Sequence, residues 1–253
     1  MKNEDVKTLE KGNIFFFYRP KIDVKADISS ANDVQNFYCL LSPQGNKEFR
    51  LIIIGKEHLP NISKKEKLWG FVSKASRSKN QIKKELQSFT YETKTRGKRE
   101  QPAARPCGEG VYRIVQHEDH CHLVYALELP DEPKKVQKAL KIPEEGSYII
   151  SIKNPEKGQP KNAGLGKDQK AKFPKKLQSK FKDRKFIPAS PPTFLNYQYA
   201  EILFIGASKD VKKELGMKLN PENETEKEAD IFKALSLDKE EHPLEALFEG
   251  EWV

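Results

Sequence analysis

The apolar residues of this chain come in short runs, and that confines it to strands and short helices. The longest runs are Ile14 to Tyr18 and Leu51 to Ile54, whereas a membrane-spanning helix needs about 20 apolar residues. Asn13-Ile-Phe-Phe-Phe-Tyr18 is aromatic and unbroken, the pattern of a strand buried on both faces. Pro20 ends it. Phe37 to Leu41 and Phe49 to Ile54 read as the next two strands, parted by the turn residues Ser42-Pro-Gln-Gly-Asn46. A helix is predicted after Ser78. Gln81 lies three residues on, a capping-box spacing, and Ile82, Leu86 and Phe89 recur on one helical face.

The second half repeats this grammar. Val111 to His117 and Cys121 to Leu129 are predicted strands around a tight connection, and Pro130-Asp-Glu-Pro133 opens a helix with Val136, Ala139 and Leu140 on one face. A strand follows at Ser147 to Ile152. Asn154 to Lys172 has no periodicity and reads as loop. Pro174, Leu177 and Phe181 suggest a short basic helix, and Ala200 to Gly206 a last strand. Thr225 and Glu228 make a second capping-box pair ahead of Ile231, Phe232 and Leu235. The final residues hold Leu244, Leu247, Phe248 and Trp252, more large apolar groups than a solvated tail keeps. This arm is expected to dock on the body, on a second subunit or on a partner protein.

The expected fold is therefore α+β: a β-rich body with short helices and a C-terminal arm. Residues 1–94 form a β-rich half with one helix, 95–110 a basic loop, 111–217 a second α+β half and 218–253 an acidic arm. Lys11 to Phe15, Phe37 to Pro43 and Phe49 to Ile54 resemble the series Glu109 to Arg113, Leu123 to Pro130 and Tyr148 to Ile152. That points to two duplicated halves packed face to face, although any β protein offers three strands in a row.

Composition sets the compartment and the partner class. Met1 to Glu10 has mixed charge and no apolar stretch, so no secretory signal is expected. Cys39, Cys107 and Cys121 are odd in number and form no CxxC pair, which argues against a disulfide framework and for a reducing cytoplasm. The formal net charge is +9 and unevenly spread. Lys153 to Lys185 holds eleven lysines and Arg184 against Glu156, Asp168 and Asp183, whereas Ala207 to Val253 holds seven lysines against ten glutamates and three aspartates. Nucleic acid or the protein's own acidic arm could answer such a basic segment.

Three sets of residues could carry chemistry. In the basic segment, Lys175, Lys176, Lys180, Lys182 and Arg184 could neutralise phosphates. The interleaved Phe173, Phe181 and Phe186 could stack on bases, or Phe181 with Leu177 could be core. Arg96, Lys98, Arg99 and Arg105 lie in the basic loop, where guanidinium forks suit bidentate anion binding; a solvated loop is the plainer alternative. Third comes His117-Glu-Asp-His-Cys-His122. A two-residue turn at Glu118-Asp119 would put His117, His120 and His122 on one face, a ligand set for zinc or manganese, though a polar hairpin tip in water often holds such residues. Cys107 is a weak candidate nucleophile. No P-loop, GxGxxG, GxSxG, HExxH or EF-hand motif is present.

Several segments also carry a resemblance. Gly12 to Pro20, Thr95-Arg-Gly-Lys-Arg99 with Pro102-Ala-Ala-Arg-Pro106, Gly108-Glu-Gly-Val-Tyr112, Tyr125-Ala-Leu-Glu-Leu-Pro130, Phe194 to Ser208, and His242-Pro-Leu-Glu with Gly250-Glu-Trp252 resemble an uncharacterised family of prokaryotic proteins. The resemblance implies a cytoplasmic prokaryotic protein and assigns no functional residue. Taken together, the residues favour a non-enzymatic polyanion-binding protein, nucleic acid first, with no cofactor and no membrane partner. A metal-dependent hydrolase of a phosphate-containing substrate and a protein-interaction module are the alternatives.

Overall fold

The protein is described by a computed structural model, over residues 6–22, 28–45, 48–158, 165–166, 168–221, 229–238 and 241–253. Eleven strands form: β1 (Lys7–Pro20), β2 (Val34–Pro43), β3 (Phe49–Ile54), β4 (Lys67–Ser76), β5 (Phe89–Thr93), β6 (Gly97–Gln101), β7 (Arg105–His117), β8 (His120–Leu129), β9 (Glu145–Lys153), β10 (Phe186–Pro188) and β11 (Glu201–Ser208). Eight of them run in the order β9-β11-β4-β3-β2-β1-β7-β8, and β8 pairs back with β9, so the sheet closes into a barrel. Every pairing is antiparallel. The β8–β9 pairing ends at the His122–Ile149 pair, and the short β10 covers the rest of that edge by pairing with Ser151 to Lys153.

The α+β expectation with two duplicated halves is overturned by this closure. Both three-strand series exist, as β1–β3 and β7–β9. However, β1 pairs with β7 from Lys7 to Tyr18, and β4 with β11 close the opposite side. The series are two arcs of one barrel, not two bodies packed face to face. The physical reason lies in strand parity. Side chains alternate between faces, and an unbroken apolar strand must hide both. Ile14, Phe16 and Tyr18 point into the barrel with Phe37, Cys39, Ile52, Tyr125 and Tyr148. Phe15 and Phe17 point outward with Leu40 and Leu51. An eight-stranded barrel is just wide enough to be filled by its own side chains. Gly12 and Gly110 let strands approach where a Cβ would meet Ser42 O at 2.1 Å and Ala126 O at 2.0 Å.

Helices are short and serve as covers: α1 (Lys79–Leu86), α2 (Lys135–Ala139), α3 (Lys175–Gln178), α4 (Val211–Leu215), α5 (Asp230–Leu235) and α6 (Glu245–Phe248). α1 and α5 seal the outer face of β1–β3 through Ile82, Leu86, Ile231 and Leu235. α4 seals Val115, Val124 and Ala126 through Val211 and Leu215. The barrel ends are plugged too. At the β1 C-terminal end, Trp252 packs edge-on against Tyr18, ring centroids 5.2 Å apart. At the other end Phe173, Phe181, Phe194 and Tyr197 form an aromatic cluster. There the buried Arg50 donates to both Glu10 carboxylate oxygens at 2.6 and 2.9 Å and to Asn196 Oδ1 at 2.7 Å.

The C-terminal arm thus docks on the body. Glu109, fully buried on β7, accepts the backbone N–H groups of Asp230 and Ile231 at 2.8 and 3.1 Å. That satisfies donors at the start of α5 that have no partner inside the helix. The Thr225–Glu228 capping pair lies outside the described residues. No helix among the described residues is long and apolar enough to cross a membrane.

Candidate nucleic-acid interface

The basic segment is anchored by its apolar residues and presents its cations. Leu177 and Phe181 are buried, so α3 and the turn that follows are pinned to the barrel end. Lys175, Lys176, Lys180, Lys182, Arg184 and Lys185 remain exposed. Two neighbouring residues hold the turn in a left-handed backbone, Lys182 at φ 44° and Asp183 at φ 66°. Such a conformation is uncommon without glycine and persists only where surroundings enforce it. Asn154 does part of that work, accepting from Gln178 Nε2 at 2.9 Å and donating to Arg184 O at 3.2 Å. A cleft of about 520 Å³ opens between Asn154, Phe173, Lys175 and Lys182.

Not every cation of the segment is available. Lys153 is buried and bonds Glu201 at 2.7 Å, and Lys157 pairs with Asp183. The phenylalanines of the segment take part in packing, to different degrees. Phe181 is core, Phe173 packs among Phe181, Phe194 and Tyr197, and Phe186 leans on Trp69. Helical spacing of Leu177 and Phe181 signalled this, since such pairs are more often core than surface.

Arg96, Lys98 and Arg99 are not in a loop. They belong to a two-stranded ribbon, β5–β6, that pairs with no barrel strand. Arg96 sits at its tip, its N–H donating to Thr93 Oγ1 at 3.1 Å. Arg105 opens β7 opposite Tyr18 and is half-buried. The ribbon stems from the barrel end where β1 finishes, and the α3 lysines from the end where β1 begins. The two basic groups therefore lie at opposite ends of the barrel and do not form one patch.

The predicted His hairpin forms as expected from its spacing. His117 faces His120 across a two-residue turn, with Glu118 left-handed at φ 52°. Ring centroids of His117 and His120 lie 5.9 and 6.3 Å from that of His122. Yet the imidazoles are otherwise employed. His122 is buried, with Nδ1 3.0 Å from Ser147 Oγ and 4.0 Å from Glu214 Oε1. Burial, reinforced by His117 and His120, lowers its pKa to about 4. His120 contacts Asp119. Among the described residues, no three His, Cys, Asp or Glu side chains are placed to hold a metal ion. Cys107 is wholly buried inside the barrel, where burial pushes its thiol pKa well above the ordinary value. It is a core residue without the thiolate character of a nucleophile.

Two functional-looking residues escape a reading by sequence. The helix predicted through Phe89 stops at Leu86, and Phe89 starts the ribbon with 54% of its surface exposed. The i, i+7 match to Ile82 was accidental. Arg19, next to Pro20, is buried and donates to Glu85 O, Gln87 O and Pro102 O at 2.5, 3.1 and 2.6 Å. A lone cation closing an aromatic strand is the signal for it. Comparison with protein families, curated proteins and solved structures returns no match to this chain.

Proposed function

We propose that this protein binds a polyanion, nucleic acid first, through the lysine-rich turn after β9. The observation that supports the reading is the arrangement of Lys175, Lys176, Lys180, Lys182, Arg184 and Lys185. All six are exposed on a turn whose apolar residues are anchored, and the one carboxylate among them, Asp183, is already paired with Lys157. Cations held this close together repel one another, and a phosphate backbone relieves that repulsion while releasing its own counterions. The three cysteines are buried and unpaired, which suits the cytoplasmic location read from the sequence. The hydrolase reading is not carried further, because its histidines are engaged by Ser147 and Asp119.

The test is affinity for single- and double-stranded RNA and DNA as a function of salt. Affinity should fall steeply, with log K against log salt sloping by about −0.7 to −0.9 for each phosphate neutralised. Replacing Lys175, Lys176, Lys180 and Lys182 together by Gln should flatten that slope by about 3. Absence of binding at low salt, or an unchanged slope in the quadruple variant, defeats the reading.

A further inference from the structure

We infer that the β5–β6 ribbon is a second contact surface, one that takes unpaired bases of a single-stranded nucleic acid. The inference extends the polyanion reading to a separate element and rests on that reading only for the class of ligand.

The ribbon's register sorts its side chains. Tyr91 faces Arg99, and Phe89 faces Gln101, so these four share one face. Thr90, Glu92, Lys98 and Glu100 share the other. The second face, with both carboxylates of the ribbon, is fully exposed, whereas on the aromatic face Tyr91 and Arg99 are half-buried, Gln101 is buried and Phe89 stands out into solvent. On that face the Phe89 and Tyr91 rings stand 6.0 Å apart at 40°. Phe89 is the one large hydrophobic side chain left exposed among the described residues. Behind it, the Arg19 guanidinium lies 6.0 Å from the ring centroid. At the tip, Lys94 and Arg96 are exposed.

An exposed phenylalanine beside a half-buried tyrosine, with solvent-exposed cations at the ribbon tip, matches one chemistry best. Unpaired bases offer flat π faces to the rings, while the linking phosphates meet Lys94 and Arg96. A duplex offers the phosphates but keeps its base faces stacked. Charge excludes an acidic-poor apolar peptide as the better fit, since such a partner leaves the tip cations unanswered.

The ribbon is also held ready. Isolated two-stranded hairpins are marginal in water, and this one is clamped at both legs. Arg19 bonds carbonyls on either side of it. Glu241 of the arm accepts from Ser88 N at 3.1 Å and Ser88 Oγ at 3.3 Å. His242 of the arm bonds Ala104 O through Nδ1 at 2.7 Å, and Ala104 N donates to Leu86 O at 2.8 Å. Fixing the legs fixes where Phe89 points, which lowers the ordering cost of binding.

The experiment measures affinity for a short unstructured single strand and for the same sequence as a duplex. It uses the full chain, Phe89→Ala, Tyr91→Ala, Phe89→Trp and the quadruple lysine variant. Each ring removed should weaken single-strand binding about 5- to 100-fold. Duplex affinity, salt slope and melting temperature should stay unchanged, and Phe89→Trp should retain single-strand binding. The lysine variant reads the other surface: it lowers the salt slope for both strands and leaves the single-strand preference intact. The inference is overturned if Phe89→Ala leaves single-strand affinity unchanged, weakens duplex equally, or instead abolishes a concentration-dependent dimer, which would make a second copy the occupant. If the unaltered protein binds neither probe, both this inference and the lysine reading fall. If only the lysine variant matters, the ribbon alone does.

Discussion

At the scale of single residues, buried polar groups decide how this protein answers pH and substitution. His122 is held neutral on the outer face of β8, between Ser147, Glu214, His117 and His120. Burial, reinforced by His117 and His120, lowers its pKa from 6.5 to about 4. A depressed histidine pKa means that the unfolded chain takes up the proton first. Its contribution is intact above pH 6.5, is lost as pH falls through the window down to about 4, and changes no further below that. The size is about 3 kcal/mol, at 1.36 kcal/mol per pKa unit. Denaturant titrations across that window should show the loss, and His122→Gln should flatten it while keeping a bond to Ser147. Arg50 makes a different point. Removing it leaves Glu10 and Asn196 without their buried donor, so Arg50→Ala should cost about 3–5 kcal/mol by chemical denaturation. The pair Arg50→Met with Glu10→Gln should cost much less, since no buried charge is stranded. That Arg50 is buried was not visible in the sequence. It sits in a strand flanked by apolar residues, and only the barrel's parity shows that it points inward.

At the scale of elements, the C-terminal arm is part of the core. Its docking was legible from its apolar content, and Leu247, Phe248 and Trp252 of the expected residues pack on the barrel. Leu247 is fully buried beneath the barrel wall, and Trp252 leans half-buried on Tyr18. The carboxylate that starts α5, Glu109, lies more than a hundred residues earlier on β7, and a buried acid paired with distant backbone amides leaves no local pattern. Ending the chain before Ala229 should uncover Phe15, Phe17, Leu40 and Leu51. Ile231, Leu235 and Leu247 each contribute about 1.5–3 kcal/mol by burial. The shortened protein should therefore melt far lower and bind a hydrophobic dye, and an unchanged melting curve would contradict the docked arm. Glu109→Gln is milder. It removes one charge-assisted acceptor from the start of α5 and should cost about 1–3 kcal/mol, without exposing the apolar face at equilibrium. Helix ends were the least legible elements, as Phe89 shows: an apolar side chain at helical spacing turned out to begin a strand.

At the scale of the whole molecule, closure is what local reading could not supply. The barrel strands other than β4 were visible, and so was the two-sided burial of Ile14 to Tyr18, because these are written in consecutive residues; β4 (Lys67–Ser76) and the ribbon were not read as strands. Which strand pairs with which is written in contacts far apart along the chain, such as Phe16 with Gly108 and Glu201 with Phe71. An apolar run states only that both faces must be hidden. It does not say whether a second sheet, helices or the barrel's own far wall hides them. The barrel uses the last two together, with its own far wall inside and helices outside. Local stability should follow from this arrangement. β1 is bonded to β2 and β7 along most of its length and is buried on both faces from Ile14 on, so the amides of that half open only with the whole barrel. β5 and β6 have one partner each and no sheet beneath them, and they are fixed mainly at their legs. Hydrogen exchange should therefore show β1, β2 and β7 as the slowest segments and the ribbon as a fast one, despite its complete ladder. Binding of a single strand to the ribbon should slow its exchange without altering β1. A ribbon that exchanges as slowly as β1 in the free protein would mean that it is packed against something more than its own partner strand.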